Sequence, residues 1–383
     1  MSRYAPSARR PISEHGFSPS TDSRCQSTQG ESAPGSILAR RPNTCPPSPG
    51  SRNPWFFGGL TSTSAAPGTL ALICQTHGSA LPLQIVSTLS RAASYLAQKF
   101  RNQFPDGASA DLIARTCQGY ENCRPFRADD RIRLGSGDRN ILASRLAIGS
   151  GTDGWSRTSS QTRNLSLEEL SNLHLHAFHQ HGINFWETAD EYGAHPHLAL
   201  ALTQVPRDQV VVLTKTVAET PDAMRKELDR FRKELGIEHI DILLMHCMTS
   251  PSWPEQQRGV MDVISEAQEK GIIGLKGVSC HSFTALEAAV DEPWVEVDLA
   301  RINPGGLSMD AGPDRVVPVL EKMKRKEKSV LGMKILGNGK LAEHREACLQ
   351  FVLGLESVDA FTIGFESTTE IDEIVGLIAG PTQ

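Results

Sequence analysis

From Ile141 onward the chain alternates short β-branched or apolar runs with helical stretches, and this rhythm limits the folds open to it more than any other feature. The runs cover residues 145–148, 183–186, 210–214, 241–245, 272–279, 294–302, 329–335 and 360–363. The stretches between them carry helix-end chemistry. Ser166 and Glu169 have capping-box spacing, and Gly182 stands where that helix must stop. Thr220-Pro221 opens the next helix, whose Met224, Leu228, Phe231 and Leu235 share one face up to Gly236. Later helices are expected over 261–270, 316–326 and 341–353, and a last one behind Ser367-Thr-Thr-Glu370. Strands separated by helices pair in parallel through right-handed crossovers, and eight such units in about 250 residues fit a closed (β/α)8 TIM barrel. No Gly-x-Gly-x-x-Gly follows the first strand, which weighs against an open dinucleotide-binding sheet. In a closed barrel the chemistry lies at the carboxyl ends of the strands, where the loops converge.

The first 130 residues read differently. Residues 1–50 hold ten Ser and eight Pro without apolar periodicity, so residues 1–130 are expected to form a low-complexity, disordered extension before a barrel over 131–383. Its Arg- and Ser-rich, acid-poor start has the composition of a transit peptide and of sequence translated upstream of a start codon; we expect the second. Ile85, Leu89, Ala93, Leu96 and Phe100 form one helical stripe suited to a partner or a membrane surface. Residues 1–100 contain nine Lys and Arg against three Asp and Glu, which leaves a balance of −11 for residues 101–383. An acidic barrel lacks the clustered cations that nucleic-acid binding needs. No uninterrupted run of eighteen apolar residues occurs, so no membrane span is expected. The eight cysteines show no Cys-x-x-Cys spacing, which implies reduced thiols in a cytoplasm.

The strand ends carry four reactive types. Gly182-Ile-Asn-Phe-Trp-Glu-Thr-Ala-Asp-Glu-Tyr-Gly193 places Glu187 at the end of the second strand and Tyr192 five residues later; Lys215 ends the third strand and His246 the fourth. Alone, Lys215 is an ordinary strand-end lysine, His246 a core histidine and Tyr192 a surface aromatic. Their joint placement on three successive strands favours function. The pattern resembles the signature of the aldo-keto reductase family, in which Gly-Ile-Asn-Phe precedes an acid-Thr-Ala-x-x-Tyr-Gly run. The resemblance covers residues 131–383 and implies catalytic roles for Glu187, Tyr192, Lys215 and His246. It also implies that residues 131–143 form a hairpin closing the barrel's bottom. Reduction of a carbonyl needs a proton as well as a hydride, and a phenol of pKa ~10 gives up its proton reluctantly. Lys215 is expected to lower that pKa, Glu187 to hold Lys215, and His246 to orient the carbonyl oxygen. The family usually has Asp where this chain has Glu187.

The resemblance implies NADP or NAD as cofactor and a small-molecule carbonyl as substrate. Ser279, in Gly277-Val-Ser-Cys-His-Ser282, stands where the family holds the nicotinamide carboxamide, although Cys280 and Leu299 replace a usual Asn and Gln. Met333, Lys334, Ile335 and Gly337 fall on the loop that cradles the pyrophosphate. Gly364, Phe365 and Glu366 open the last helix, and Glu373 falls near adenine. No Lys or Arg follows Asp359, and Glu366 would repel a 2′-phosphate, which favours NAD, whereas family habit favours NADP. A non-catalytic NAD(P)H-binding barrel, acting as sensor or partner subunit, is the alternative. The histidines at 174, 176, 179, 181, 195 and 197 suggest a metal-dependent barrel hydrolase, but no metal ligand is assigned because His176 and His179 fall on a helix outside the barrel. Oligomeric state is left open.

Overall fold

A strand that buries both faces needs cover on each side, and Val211–Thr216 is buried along its whole length. That demand is met by a barrel. The computed structural model describes residues 107–122 and 125–379. A hairpin of β1 (Arg131–Ser136) and β2 (Arg139–Ser144) comes before the barrel strands. They are β3 (Leu146–Gly149), β4 (Phe185–Glu187), β5 (Val211–Thr216), β6 (Ile240–Met248), β7 (Ile273–Cys280), β8 (Val297–Arg301), β9 (Ser329–Met333) and β10 (Ala360–Gly364). They pair in parallel in chain order, and β10 closes the ring against β3. Each lies within three residues of its expected ends.

One helix precedes the hairpin, α1 (Ala110–Asn122); α2 (Ser160–Asn164) and α3 (Leu167–His181) follow β3, and α4 (His195–Leu202) follows β4. Next come α5 (Pro221–Leu235) after β5, α6 (Trp253–Gln256) and α7 (Arg258–Glu269) after β6, and α8 (Phe283–Asp291) after β7. The series ends with α9 (Pro313–Arg325), α10 (Arg345–Leu353) and α11 (Thr368–Ala379). The expected caps are present. Ser166 and Glu169 close a reciprocal capping box on α3, and Gly182 ends it at φ 66°. The box at α11 is one residue wider. Ser367 Oγ accepts from the Glu370 amide, whereas the Glu370 carboxylate accepts from the Glu366 amide rather than from that of Ser367.

Two apolar layers result. Ala147, Phe185, Leu213, Ile242, Leu244, Leu275, Val297, Leu299, Leu331, Met333 and Ala360 fill the barrel's interior, while the larger cluster lies between the strands and the helices. Leu134 and Ala143 of the hairpin join the interior cluster and close the amino-terminal end, as expected. Side chains alternate along a strand, so the inward position beyond Phe185 is Glu187, beyond Leu213 Lys215, beyond Leu244 His246, and beyond Leu299 Arg301. The topmost inward layer is therefore polar.

The boundary expected at residue 130 differs from the structure. Within that stretch α1 buries Leu112, Ile113 and Thr116 on one face, and Gly119 meets Gly354 so closely that a Cβ would stand 2.6 Å from the Gly354 carbonyl oxygen. Its one short stripe is too weak a signal to separate from biased flanking sequence. Residues 1–106, with the stripe from Ile85 to Phe100, lie outside the described residues. No helix among the described residues is long and apolar enough to cross a membrane.

Asp298 of β8 is fully buried, and burial pushes its carboxyl up from 3.8 to about 7. A carboxyl that binds its proton more tightly folded than unfolded stabilises the fold below pH 4, and that contribution is lost as the pH rises through 7. Asp298→Asn should remove this slope. In urea titrations the stability of the variant relative to wild type should rise by about 2–3 kcal/mol between pH 5 and 8; parallel pH profiles would count against the assignment.

Candidate active site

The site is assembled from the polar layer just described. Lys215 is completely buried, and three groups surround its ammonium. It forms a hydrogen-bonded ion pair with Glu187, donates to the Thr188 carbonyl at 3.0 Å, and donates to the Tyr192 hydroxyl at 3.0 Å. Tyr192 arrives from a 3-10 turn, Asp190–Tyr192, directly after β4. The His246 ring stands edge-on to the Tyr192 ring, with centroids 5.6 Å apart. All four residues expected to be catalytic are thus brought together.

Glu187 adds a methylene to the usual Asp, and the surroundings accommodate it. Its second oxygen accepts from Thr362 Oγ1 at 3.2 Å, and Gly149 leaves the space it occupies, since a Cβ there would be 3.0 Å away. Gly151 lies on the Tyr192 ring itself. A Cβ at 151 would overlap the ring carbons, so the loop can lie this close only without a side chain.

Electrostatics differ in one respect from the expectation. Burial raises the Tyr192 phenol above its ordinary 10, and the lowering effect of Lys215 does not offset it. Glu187 adds to the upward push. For Lys215, burial favours the neutral amine, but Glu187 and Tyr192 outweigh it and the net direction is upward. Burial, with Lys215, His281, Lys334 and Arg301 nearby, holds His246 well below 6.5. At neutral pH the site thus holds a protonated phenol, an ammonium and a neutral imidazole.

A cleft of about 360 Å³ runs from Tyr192 and Glu187 past Met333, Lys334 and Ile335 to Gly364, Phe365, Glu366 and Glu373. Seven of the nine residues expected to hold a cofactor line it. Ser279 and Gly337 do not. Ser279 is buried with its hydroxyl 3.3 Å from His281 Nε2, and Gly337 shapes the loop as a turn residue at φ 55°. The last helix is less open to an anion than expected, because the Glu366 and Glu370 amides are already capped. Glu366 is itself held by Ser160 at 2.5 Å and Asn164 at 3.0 Å.

Several residues escaped the sequence reading. Arg345, at the start of α10, lines the same cleft and pairs with Glu373 at 3.2 Å, so a cation does reach its far end. Asn338 bridges to Asp153 at 2.7 Å. At the mouth, Cys280 turns away toward Asp298 and Leu299 joins the interior core; His281 and Arg301 are the polar groups there instead. Arg301 contacts His281 Nδ1 and pairs with Asp310 at 2.9 Å. His281 is half-buried; burial and the guanidinium beside it lower its pKa to about 3. Trp155 is half exposed, 6.1 Å from the His246 ring between centroids. The alternation of Val297, Leu299 and Arg301 was a usable signal for Arg301; nothing local marked the others.

The histidines weighed as metal ligands lie elsewhere. His174 is buried against the Leu170 carbonyl at 2.9 Å, and His195 is tied to Glu234 and Thr214, both at 2.8 Å. His176 and His181 meet Asp372 on the outer helical layer.

A model of the aldo/keto reductase family matches residues 147–351, more than half of the chain. The chain belongs to the aldo/keto reductase family. Solved structures of aldo-keto reductases share its fold. A Pseudomonas aeruginosa chain described as an aldo-keto reductase is 21% identical, with a TM-score of 0.54 over 67% of this chain and 96% of that one. An aldo-keto reductase from Bacillus halodurans in its holo form is 15% identical, with a TM-score of 0.52 over 66% and 92%. A thermostable aldo-keto reductase in complex with the inhibitor epalrestat is 19% identical, with a TM-score of 0.52 over 65% and 94%. At such identities the likeness speaks to fold alone. A comparison with curated proteins gives no match.

Gly151→Ala should drive the Tyr192 ring off its place. We expect a stability loss of about 1–3 kcal/mol, typical of overpacking, and a crystal structure in which the Tyr192 hydroxyl no longer meets Lys215. Gly376→Ala, where an added Cβ meets nothing within 4 Å, is the control. Equal behaviour of the two variants would contradict the packing described.

Proposed function

We propose that this aldo/keto reductase reduces the carbonyl of an aldehyde or ketone to an alcohol with NADPH or NADH. The observation that carries this reading is the meeting of the Tyr192 hydroxyl, the Lys215 ammonium and the Glu187 carboxylate at one end of the cleft. The cleft suits a dinucleotide. Lys334 is largely buried with no ion-pair partner among the described residues, and Arg345 lies further along, so two cations are available to phosphate groups. The glycine at 364 leaves Thr152 and Gln161 close to the backbone, and Met333 offers an apolar, polarisable surface in the cleft that Tyr192 also lines. The nicotinamide, when bound, supplies the hydride.

The chain's residues supply the proton and the positioning. Tyr192, kept protonated by burial, gives its proton to the carbonyl oxygen. Lys215 already donates to the Tyr192 oxygen and so stabilises the phenolate that proton transfer leaves. Glu187 balances the Lys215 charge and fixes its direction. His246, neutral, orients the carbonyl by a hydrogen bond rather than by proton transfer.

Two results are expected. Titration with NADPH and with NADH, followed by fluorescence, should show binding of one or both to wild type and to Tyr192→Phe alike. Turnover of a panel of aldehydes and ketones should fall about 10²–10⁴-fold in Tyr192→Phe, the range of general acid catalysis. Binding without Tyr192-dependent turnover would favour a sensor or partner subunit, and no nucleotide binding would remove the proposal. The pH profile is a second check. The reduction rate should show no break at the ordinary histidine value near 6.5, because His246 is held well below it, and should fall in alkali as Tyr192 ionises above pH 10. A break near 6.5 that His246→Asn abolishes would contradict this assignment.

A further inference from the structure

On the outer layer, far along the chain from one another, two imidazoles and a carboxylate converge. His176 and His181 lie in the last turns of α3, and Asp372 lies on α11, 191 residues beyond His181. Both Nε2 atoms meet the same oxygen, Asp372 Oδ1, at 2.7 and 2.6 Å. The three ligand atoms stand within 4.8 Å of one another. No Lys or Arg shares Asp372 among the described residues. The cluster presents two imidazole nitrogens and one carboxylate oxygen.

A second cluster shows what disqualifies such a group. Asp190, His195 and Glu234 are equally close, but Arg230 binds Asp190 through both guanidinium nitrogens at 2.7 Å. Arg157 reaches Glu234 at 3.1 Å as well. A divalent cation there would have to displace two guanidinium groups. The α3–α11 cluster has no such competitor.

We propose that His176, His181 and Asp372 form a binding site for a divalent transition-metal ion of the zinc type, clipping α11 to α3. Two imidazoles and a carboxylate match the ligand preference of Zn²⁺, whereas Mg²⁺ and Ca²⁺ prefer oxygen alone. Tetrahedral zinc with ligands near ~2.1 Å needs ligand atoms about 3.4 Å apart. The carboxylate oxygen must therefore open slightly from each nitrogen. All three side chains are partly exposed, so rotamer adjustment can deliver this. Water would complete the coordination. The clip has a structural consequence, because Glu370, Glu373 and Ile374 of the same helix line the cleft. In the sequence the two histidines mark only a helix outside the barrel, and nothing local points to their distant carboxylate.

The test is calorimetric titration of the full chain with ZnCl₂ at pH 7.5, after dialysis against a chelator, repeated on Asp372→Asn and on His181→Gln. Wild type should take up one more equivalent than either variant, and zinc should raise its melting temperature but not theirs. MgCl₂ should produce neither effect. Equal zinc uptake by wild type and both variants, all folded by circular dichroism, would overturn the site; so would the absence of uptake by wild type. Binding of the nicotinamide nucleotides should survive in Asp372→Asn, which separates this test from that of the proposed activity.

Discussion

The buried ammonium of Lys215 is the constraint around which the upper end of the barrel is organised. A lone charge moved from water into a protein interior costs several kcal/mol even after relaxation. Lys215 therefore has to find an opposite charge and hydrogen-bond acceptors. Glu187, the Thr188 carbonyl and the Tyr192 hydroxyl provide them. The same requirement that keeps the residue tolerable inside the barrel fixes the phenol, so stability and chemistry place the same demand on neighbouring strand ends. Gly149 and Gly151 are part of that arrangement, since one makes room for the longer acid and the other for the ring.

Burial, reinforced by cationic charge, sets the protonation of the neighbouring imidazoles. Lys215, Lys334 and Arg301 all act on His246 and His281, and burial works in the same direction. Both rings are neutral at physiological pH as a result. In the proposed reaction this gives the two groups separate tasks: the phenol holds a transferable proton, and the imidazole offers only a directed hydrogen bond.

Much of the barrel was legible because it depends on local rules. Strand runs, the capping box at Ser166 and the left-handed stop at Gly182 are each set by a few adjacent residues. Glu187, Tyr192, Lys215 and His246 could be found because each is tied to a strand end by position. What was not legible depends on contacts between distant segments. Arg345 meets Glu373 only after α10 and α11 pack, and the Asp372 carboxylate reaches two histidines almost two hundred residues away. The net direction of the Tyr192 shift was not legible for a related reason: Lys215 does act downward on the phenol as its position implies, but spacing does not reveal how completely the ring is buried. Helix α1 was passed over because its apolar face is short and its partner, α10, lies far ahead in the chain.

The claim that Lys215 is an ammonium held by Glu187 can be measured without any assay of activity. Denaturant titrations of Glu187→Gln, Lys215→Met and the double variant form a mutant cycle. Leaving a buried charge unpaired costs about 3–5 kcal/mol, whereas removing both partners is often neutral. Glu187→Gln alone should therefore be the less stable, and adding Lys215→Met should restore most of the loss. A single variant within about 1 kcal/mol of wild type, the usual effect of a surface pair, or a double variant no more stable than the single one, would contradict the account.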